Sequence, residues 1–237
     1  MISTTNPDRN RQPRSVSDEE WAVRVQLAAA YRLAAKFQLT DLIYTHISVR
    51  VPGRHDQFLI NPHGWFFDEI TASSLVKIDV DGRPVGDERF EVNAAGFTIH
   101  SALHQSRQDV ECVVHLHTDA GMAVAAMKKG LLPLNQISMQ FYNRVNYHDY
   151  EGISLDLDER ERIVHSMGDA NYLILRNHGL LTTGRSVAEA FTRMFYLNRA
   201  CEIQVKTLSM GEPYVIPSPE VCEHRSEERR VGKECRL

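Results

Sequence analysis

The sequence predicts an α/β protein in which amphipathic helices alternate with short apolar strands. Two observations support this fold class. Capping motifs precede long segments whose apolar residues recur at helical spacing, and short β-branched runs lie between turn residues. The chain of 237 residues is 43% hydrophobic and 24% charged, which is typical of a globular protein with one large domain or two small ones.

One helix and three strands are predicted in the first half of the chain. Ser17 and Glu20 form an S-x-x-E capping box ahead of an apolar stripe, so a helix begins there. Residues 44–51 alternate in polarity, and residues 57–62 return after the turn P-G-R-H-D, which together predict an antiparallel hairpin. Residues 76–80 form another predicted strand, which ends at an Asp-Gly turn.

The second half is predicted to alternate between helices and buried strands. A polar cap at Asn93 and a second capping box at Ser186 and Glu189 mark two of the helix starts. Predicted helices cover residues 93–110, 118–130, 158–168 and 186–211, and predicted buried strands cover residues 110–118 and 173–181.

The strand over residues 110–118, V-E-C-V-V-H-L-H-T, carries the main functional prediction. His115 and His117 are two residues apart, and such residues of a strand point to the same face, about 7 Å apart along the backbone. His178 is a third candidate, in L-I-L-R-N-H-G-L-L, where the second apolar strand ends in His-Gly. Three neutral imidazoles suit Zn²⁺ or Fe²⁺ and leave a coordination position open. We predict a metal site, the alternative being ordinary core or surface histidines.

Other histidines carry weaker signals. His46 and His63 lie in or near the predicted hairpin, where each is either a site residue or an ordinary loop or surface residue. His100 and His104 are one helical turn apart, which permits chelation but more often places one ring in the core and one outside. His165 is expected on the surface of a helix.

Composition argues against several classes of protein. No run of eighteen or more apolar residues is present, and the polar N-terminus lacks the apolar core of a signal peptide, so we expect a cytoplasmic protein with no membrane partner. The net charge of −4 carries no basic patch, which argues against nucleic acid as a partner. The spacing of the four cysteines, Cys112, Cys201, Cys222 and Cys235, favours free thiols over a disulfide framework.

Both ends of the chain are expected to differ from the domain between them. Residues 1–14 are polar, with two prolines and three arginines, and are predicted to be a disordered arm. Residues 225–237, R-S-E-E-R-R-V-G-K-E-C-R-L, share no pattern with the preceding chain and resemble the conceptual translation of a sequencing-adapter read. We interpret them as a non-native tail, which leaves residues 15–211 as the domain and residues 212–224 as a C-terminal extension.

The motifs V-V-H-L-H-T at residues 113–118 and R-N-H-G-L-L-T-T-G at residues 176–184, with the spacing between them, resemble those of the class II aldolase/adducin family. The likeness runs over about residues 21–211 and is closest to the adducin head domain and its bacterial relatives. The resemblance implies a three-layer α/β/α fold around a mainly antiparallel, mixed sheet. It also implies a homo-oligomer, commonly a tetramer, with the site at a subunit boundary.

In the sugar-phosphate aldolases that the chain resembles, three histidines bind zinc, which polarises the substrate carbonyl and stabilises an enediolate. The resemblance places His115, His117 and His178 on these ligands. Those enzymes also have a Ser-Ser-Glu run that holds phosphate and supplies the acid/base, and the corresponding residues 94–96 here are Ala-Ala-Gly. A phosphorylated substrate is therefore not expected.

Further departures from the family pattern affect proton transfer. Loss of the positioned acid/base carboxylate, where Gly96 stands here, typically lowers the rate ~10²- to 10⁴-fold. In addition, Asn61 replaces an expected threonine and His46 an expected asparagine. His100, one helical turn beyond Gly96, is a candidate to replace the missing carboxylate as base or ligand, the alternative being a histidine that forms only local hydrogen bonds. Tyr142 is a second candidate for moving the proton.

Two functions from different classes remain. The first is a metal-dependent aldolase-type lyase that acts on a small, non-phosphorylated hydroxy-carbonyl or keto-acid, with Zn²⁺, or alternatively Fe²⁺ or Mn²⁺, at the three histidines. The second is a non-catalytic, adducin-like oligomeric module with cytoskeletal contacts of the actin-filament type. The intact set of histidines favours the lyase, and the Ala-Ala-Gly run favours the module.

Overall fold

The computed structural model describes residues 12–13, 15–86, 91–92, 94–152 and 159–231, without the side chains of 94–98, 159 and 229–231. The predicted arm over residues 1–14 lies almost entirely outside these ranges. The helices are α1 (Asp18–Lys36), α2 (Ala94–Ser106), α3 (Asp119–Ala125), α4 (Glu159–Met167), α5 (Val187–Ser209) and α6 (Pro219–Val231). The strands are β1 (His46–Arg50), β2 (Gln57–Ile60), β3 (Val76–Asp79), β4 (Cys112–Leu116), β5 (Val145–His148), β6 (Tyr172–Leu175) and β7 (Gly179–Gly184).

The seven strands form one mixed sheet in the order β3-β2-β1-β4-β7-β6-β5. Every neighbouring pair is antiparallel except β5 and β6, which run parallel. The predicted hairpin is confirmed as β1 and β2. Strand β4 lies near the middle, between β1 and β7, so residues far apart in sequence meet along it.

Helices cover both faces of the sheet, as the three-layer expectation requires. The larger core packs α1, α3 and α5 against one face, and a smaller core packs α2 and α4 against the other. Alternation along β4 divides its side chains between them: Val114 and Leu116 enter the larger core, whereas Val113 enters the smaller one. His115 therefore faces the layer that contains α2.

Strand β1 supplies polar groups to the same face as His115. Ile47 and Val49 belong to the larger core, so the alternating residues His46, Ser48 and Arg50 point to the α2 side. All three are buried, and His46 is the direct cross-strand partner of His115. The α2 side of the sheet centre is consequently polar beneath its helix.

Several predicted elements differ from those observed. The single strand expected over residues 173–181 is two strands, β6 and β7, and His178 lies in the tight turn between them rather than at a strand end. The helix expected over residues 118–130 ends at Ala125, before Gly130. Strand β5 was not predicted, because its residues are half exposed at the sheet edge and lack an apolar run.

Each capping box forms only in part. Ser17 accepts the backbone N–H of Glu20 as predicted, but the Glu20 carboxylate turns inward to Arg24 at 2.8 Å and to Lys77 at 2.7 Å. Ser186 likewise accepts the backbone N–H of Glu189. Buried ion pairs of this kind satisfy both charges at once, so Glu20 joins α1 to β3 instead of closing its own helix end.

The remaining expectations concern cysteines, the membrane and the C-terminal segment. Cys112, Cys201 and Cys222 are free thiols, as predicted, and Cys235 lies outside the described residues. Within the described part of the chain, no helix combines the length and apolar character needed to cross a bilayer. Helix α6 includes residues 225–231 of the segment interpreted as a tail; there the Ser226 hydroxyl is buried, 3.0 Å from the carbonyl oxygen of Tyr142.

Candidate metal centre

Three imidazoles meet at the end of the central strands. His115, His117 and His178 each place one ring nitrogen within 4.8 Å of those of the other two. The Nε2 atoms of His115 and His117 are 3.0 Å apart, and the ring of His178 lies 4.8 and 4.7 Å from their ring centres. The structure therefore brings together the three residues that the sequence nominates as metal ligands.

Strand pairing positions these rings. His115 is in β4, His117 follows its last residue, and His178 precedes β7, whose Leu180 pairs with Leu116. A side chain at Gly179 would place its Cβ atom 2.7 Å from the carbonyl oxygen of Leu116 and 2.9 Å from the His117 ring. The close approach of the turn to β4 thus requires a residue without a Cβ atom.

Hydrogen bonds to the outer edges of two rings fix their tautomers. The Nδ1 atom of His115 is 3.0 Å from the carbonyl oxygen of Leu180, and the Nδ1 atom of His117 is 3.0 Å from a carboxylate oxygen of Asp41. Because these oxygens only accept hydrogen bonds, each Nδ1 atom carries the proton. A lone pair then remains on each Nε2 atom, as in metal-binding histidines.

The inner geometry fits a small divalent cation. When both rings are neutral, their two Nε2 lone pairs, only 3.0 Å apart, repel each other unless an electrophile lies between them. Imidazole nitrogens around a tetrahedral Zn²⁺ are separated by about 3.3 Å, given Zn–N distances of ~2.05 Å. The set of donors and its spacing therefore suit such an ion.

The electrostatic environment keeps two of the three imidazoles, those of His115 and His178, neutral. Burial, and then the neighbouring His178 and His117, hold the pKa of His115 well below its ordinary value. Burial and His117 lower the pKa of His178 to about 4. A neutral imidazole is the form that ligates a metal, so no proton has to be displaced from these two rings near pH 7.

Solvent reaches the cluster from the side of His178. The ring of Tyr150 lies 6.3 Å from that of His178, and a small cavity between them is also lined by His148 and Glu151. An adjoining open groove of about 580 Å³ runs past Lys128 and Tyr150.

The structure places the other candidate residues in different environments. His100 is buried on α2, with its Nδ1 atom 2.7 Å from the Ser48 hydroxyl. Tyr142 is half-buried beside α6, and among the contacts of the described residues none joins it to the imidazole cluster. His63 and His165 are exposed, which confirms the surface position predicted for His165.

His46 and its surroundings are more unusual. It is buried beside His115, and neither of its ring nitrogens has a hydrogen-bond partner in the described structure. Burial and the neighbouring His117 lower its pKa to about 3, so it is neutral. The preceding residue, Thr45, has a φ angle of 76°, which is rare for a β-branched residue and marks local strain. The side chains of the Ala-Ala-Gly run at 94–96 lie outside the described residues.

Sequence reasoning missed Asp41 and Tyr150. Asp41 lies in the loop between α1 and β1, where Gln38, Leu42 and Thr45 all have positive φ angles. No sequence motif indicates that an aspartate in such a loop contacts His117, which is 76 residues away in the chain. Tyr150 stands two residues after β5, the strand that was not predicted.

Comparison with known proteins places this architecture in a family. The family model described as Class II Aldolase and Adducin N-terminal domain matches residues 25–205. The chain belongs to this family. Among its relatives, a class 2 aldolase-family protein of Caulobacter vibrioides is 53% identical over 208 residues, which is 88% of this chain and 81% of that protein. Alpha-adducin of Rattus norvegicus is 46% identical over 217 residues, which is 90% of this chain but only 29% of the adducin.

Solved structures of class II aldolase-fold proteins agree with this membership. An aldolase II superfamily protein from Pseudomonas syringae has a TM-score of 0.87 and 54% identity, covering 90% of this chain and 87% of that one. An L-fuculose 1-phosphate aldolase from Glaciozyma antarctica has a TM-score of 0.81 and 28% identity, covering 92% and 85%. The fold expected from the sequence, three layers around a mixed sheet, is therefore confirmed.

Proposed function

We propose that this class II aldolase-family protein is a metal-dependent carbon–carbon lyase that acts on a small, non-phosphorylated hydroxy-carbonyl or keto-acid. The observation that carries the proposal is the tautomer pattern of the cluster. In their neutral forms, His115 and His117 both direct unprotonated Nε2 atoms inward, 3.0 Å apart, because Leu180 and Asp41 hold the protons on the outer edge. A purely structural cluster gains nothing from opposed lone pairs.

His115, His117 and His178 would hold the ion in this proposal. Zn²⁺ suits the set best, and Fe²⁺ or Mn²⁺ are alternatives because imidazole ligates all three. Three protein ligands leave a position open, where the bound ion would act as a Lewis acid towards the substrate carbonyl. The Asp41 carboxylate orients His117 and strengthens it as a ligand.

The chain itself would carry the proton. In a retro-aldol cleavage, His100 accepts the proton of the substrate hydroxyl, the hydroxyl carbon becomes a carbonyl, and the electron pair of the broken carbon–carbon bond stays on the other fragment. A proton returned to that fragment completes the reaction. Tyr142 is the proposed second proton carrier. It would act from a neighbouring subunit, in a site completed at a boundary between subunits of a homo-oligomer, such as a tetramer. Tyr150 is nearer, at 6.3 Å from the ring of His178.

Two features of the chain support a substrate without phosphate. The Ala-Ala-Gly run at residues 94–96 lacks the two hydroxyls and the carboxylate expected there. Asn61, which replaces an expected threonine, is committed within the fold, since its side-chain oxygen accepts from the Tyr31 hydroxyl at 2.8 Å. The Asn61 side-chain nitrogen donates to the carbonyl oxygen of Pro62 at 3.3 Å, and neither position supplies a side-chain hydroxyl for a phosphate group.

The sequence similarity to alpha-adducin supports a second candidate function. The match covers 90% of this chain, although this chain spans only 29% of the adducin. In this alternative the protein is a non-catalytic oligomeric module that retains the metal and binds actin-type filaments. Co-sedimentation of the purified protein with actin filaments, in the presence and absence of a chelator, measures that activity directly.

Metal analysis combined with a substrate screen tests the lyase. Purified protein should contain about one divalent ion per chain and should release a carbonyl product from small hydroxy-carbonyl or keto-acid compounds in a retro-aldol or decarboxylation screen. His115→Ala should remove both the metal and the turnover, whereas the control His165→Ala, on the exposed face of α4, should retain both. Unchanged metal content in His115→Ala would contradict the ligand assignment. Stoichiometric metal without turnover would favour the adducin-like module.

A further inference from the structure

A buried hydroxyl joins two histidines behind the imidazole cluster. The Ser48 Oγ atom on β1 lies 2.7 Å from Nδ1 of His100 and 2.8 Å from Nε2 of His104, both on α2. The exposed fractions are 1% for Ser48, 2% for His100 and 1% for His104, so water does not compete for these bonds. The contacts of His104 determine which group donates in each of these hydrogen bonds.

His104 fixes that direction. Its ring stacks on Phe58 at 4.5 Å, and its Nδ1 atom faces the carbonyl oxygen of Val110 at 3.4 Å. Burial and the nearby Arg50 charge lower the pKa of His104 to about 3, so the ring is neutral and carries one proton. A carbonyl oxygen only accepts, so the proton is on Nδ1 and the lone pair is on Nε2.

The tautomer of His104 determines the tautomer of His100 through the Ser48 hydroxyl. A hydroxyl has one hydrogen, and Ser48 must donate it to the lone pair of His104 Nε2. Towards His100 the Ser48 oxygen can therefore only accept, which places the proton of His100 on Nδ1. Burial keeps His100 neutral by holding its pKa well below the ordinary value. Its Nε2 atom consequently bears a lone pair, and it has no hydrogen-bond partner in the described structure.

The ring of His100 lies next to the metal-binding end of the sheet. It packs edge-on against His46, with ring centres 5.9 Å apart, and His46 is the cross-strand partner of His115. The unpartnered acceptor therefore belongs to the surroundings of the candidate metal centre and not to a remote part of the core.

We propose that Ser48 and His104 form a relay that holds His100 with its proton on Nδ1, so that His100 Nε2 is a subsite for a hydroxyl group of the substrate. An acceptor nitrogen binds an O–H group, whereas the oxygens of phosphate or carboxylate, which are also acceptors, are repelled. The inference rests on the proposed lyase and specifies which substrate group lies beside the ion. Ser48 and His104 are positioning residues, and His100 is the residue that touches the substrate.

Nitrogen NMR of the full chain, loaded with Zn²⁺ and labelled with ¹⁵N-histidine, tests the relay without measuring turnover. In the wild type, His100 should show a protonated, pyrrole-type Nδ1 and an unprotonated, pyridine-type Nε2, which is opposite to the tautomer that free histidine favours in water. Signals are assigned by their loss in His100→Gln. Ser48→Thr, which keeps the hydroxyl, should preserve the pattern, whereas Ser48→Ala should mix or invert it. A wild-type His100 protonated on Nε2 overturns the relay, even if Ser48→Ala fails to fold.

Three probes test the ligand class on the same sample. Hydroxyacetone should shift the His100 Nε2 resonance, whereas acetone, which lacks the hydroxyl, and inorganic phosphate should not. A shift with phosphate or acetone, or no shift with hydroxyacetone, overturns the hydroxyl subsite. The outcome is separable from the proposed function: the expected tautomer and shift in a protein without lyase turnover refute the lyase alone, whereas turnover with the opposite tautomer refutes the relay alone.

Discussion

Replacement of Gly179 by alanine should damage the metal centre through contact alone. The added Cβ atom would lie 2.7 Å from the Leu116 carbonyl oxygen and 2.9 Å from the His117 ring, which is 3.4 − 2.7 = 0.7 Å and 3.4 − 2.9 = 0.5 Å inside the shortest ordinary contact of 3.4 Å. The backbone of Gly179 has no positive φ angle, so conformational strain does not contribute. Relief of the clash requires β7 or the His117 ring to move by several tenths of an ångström.

A movement of that size exceeds what a metal site tolerates. Ligand distances in well-formed sites vary by only about 0.2 Å. Disturbed support of a ligand typically weakens metal binding ~10- to 100-fold, and overpacking a core typically costs about 1–3 kcal/mol of stability. We therefore expect Gly179→Ala to lower metal affinity within that range, measured by competition with a chromophoric chelator, and to lower the free energy of unfolding measured in urea.

Gly184→Ala is the matched control because Gly184 is at the other end of the same strand. Its Cβ atom would lie 2.6 Å from the backbone nitrogen of Ala190 and would contact no imidazole. Gly184→Ala should lose stability and retain wild-type metal affinity in the folded protein. If Gly179→Ala binds metal as tightly as Gly184→Ala does, the close approach of β7 does not position the ligands, and the reasoning fails.

Three further predictions concern single groups. Asp41→Asn should weaken metal binding ~10- to 100-fold in the chelator competition, because His117 loses a charged partner. Tyr31→Phe should cost about 1–3 kcal/mol in urea unfolding, since the backbone N–H of Asn61 loses a buried acceptor. Below pH ~6.5, His104 is protonated in the unfolded chain but not in the native state. The free energy of unfolding should therefore fall by up to ~1.4 kcal/mol per pH unit from this group as pH drops towards its folded pKa of about 3. His104→Gln should show a shallower dependence of stability on pH.

The sequence contains enough information to predict the local elements and to nominate the three histidines. Periodicity and capping residues specify the long helices, and the apolar run before His115 specifies the buried strand β4. The sequence places His178 at a strand end because the apolar residues on both sides of it form one run. The turn between β6 and β7 contains neither a proline nor an Asn-Gly pair. In the structure, Asn177 adopts a positive φ angle of 56° in this turn.

The polar surroundings of the cluster could not be predicted, because sheet topology creates them. Ser48 and His100 are 52 residues apart in sequence, Ser48 and His104 are 56 apart, and all three meet only when α2 packs over β1. A one-residue change in the register of β1 would turn Ser48 away from α2. Pairing of β1 with β4 is a long-range contact, and no local pattern specifies it.

The metal cluster and the Ser48–His100–His104 cluster share one tautomer pattern, and this pattern distinguishes the two candidate functions. His115, His117 and His100 each hold a proton on Nδ1 by an acceptor, namely Leu180, Asp41 and Ser48, and so each presents a lone pair on Nε2. Only electrophiles satisfy such a set: a cation between the first two, and a hydroxyl hydrogen at the third. An assembly module that retains a structural ion depends on Asp41 but has no use for the third lone pair. Filament binding that survives Ser48→Ala, together with turnover that does not, would therefore assign the relay to catalysis.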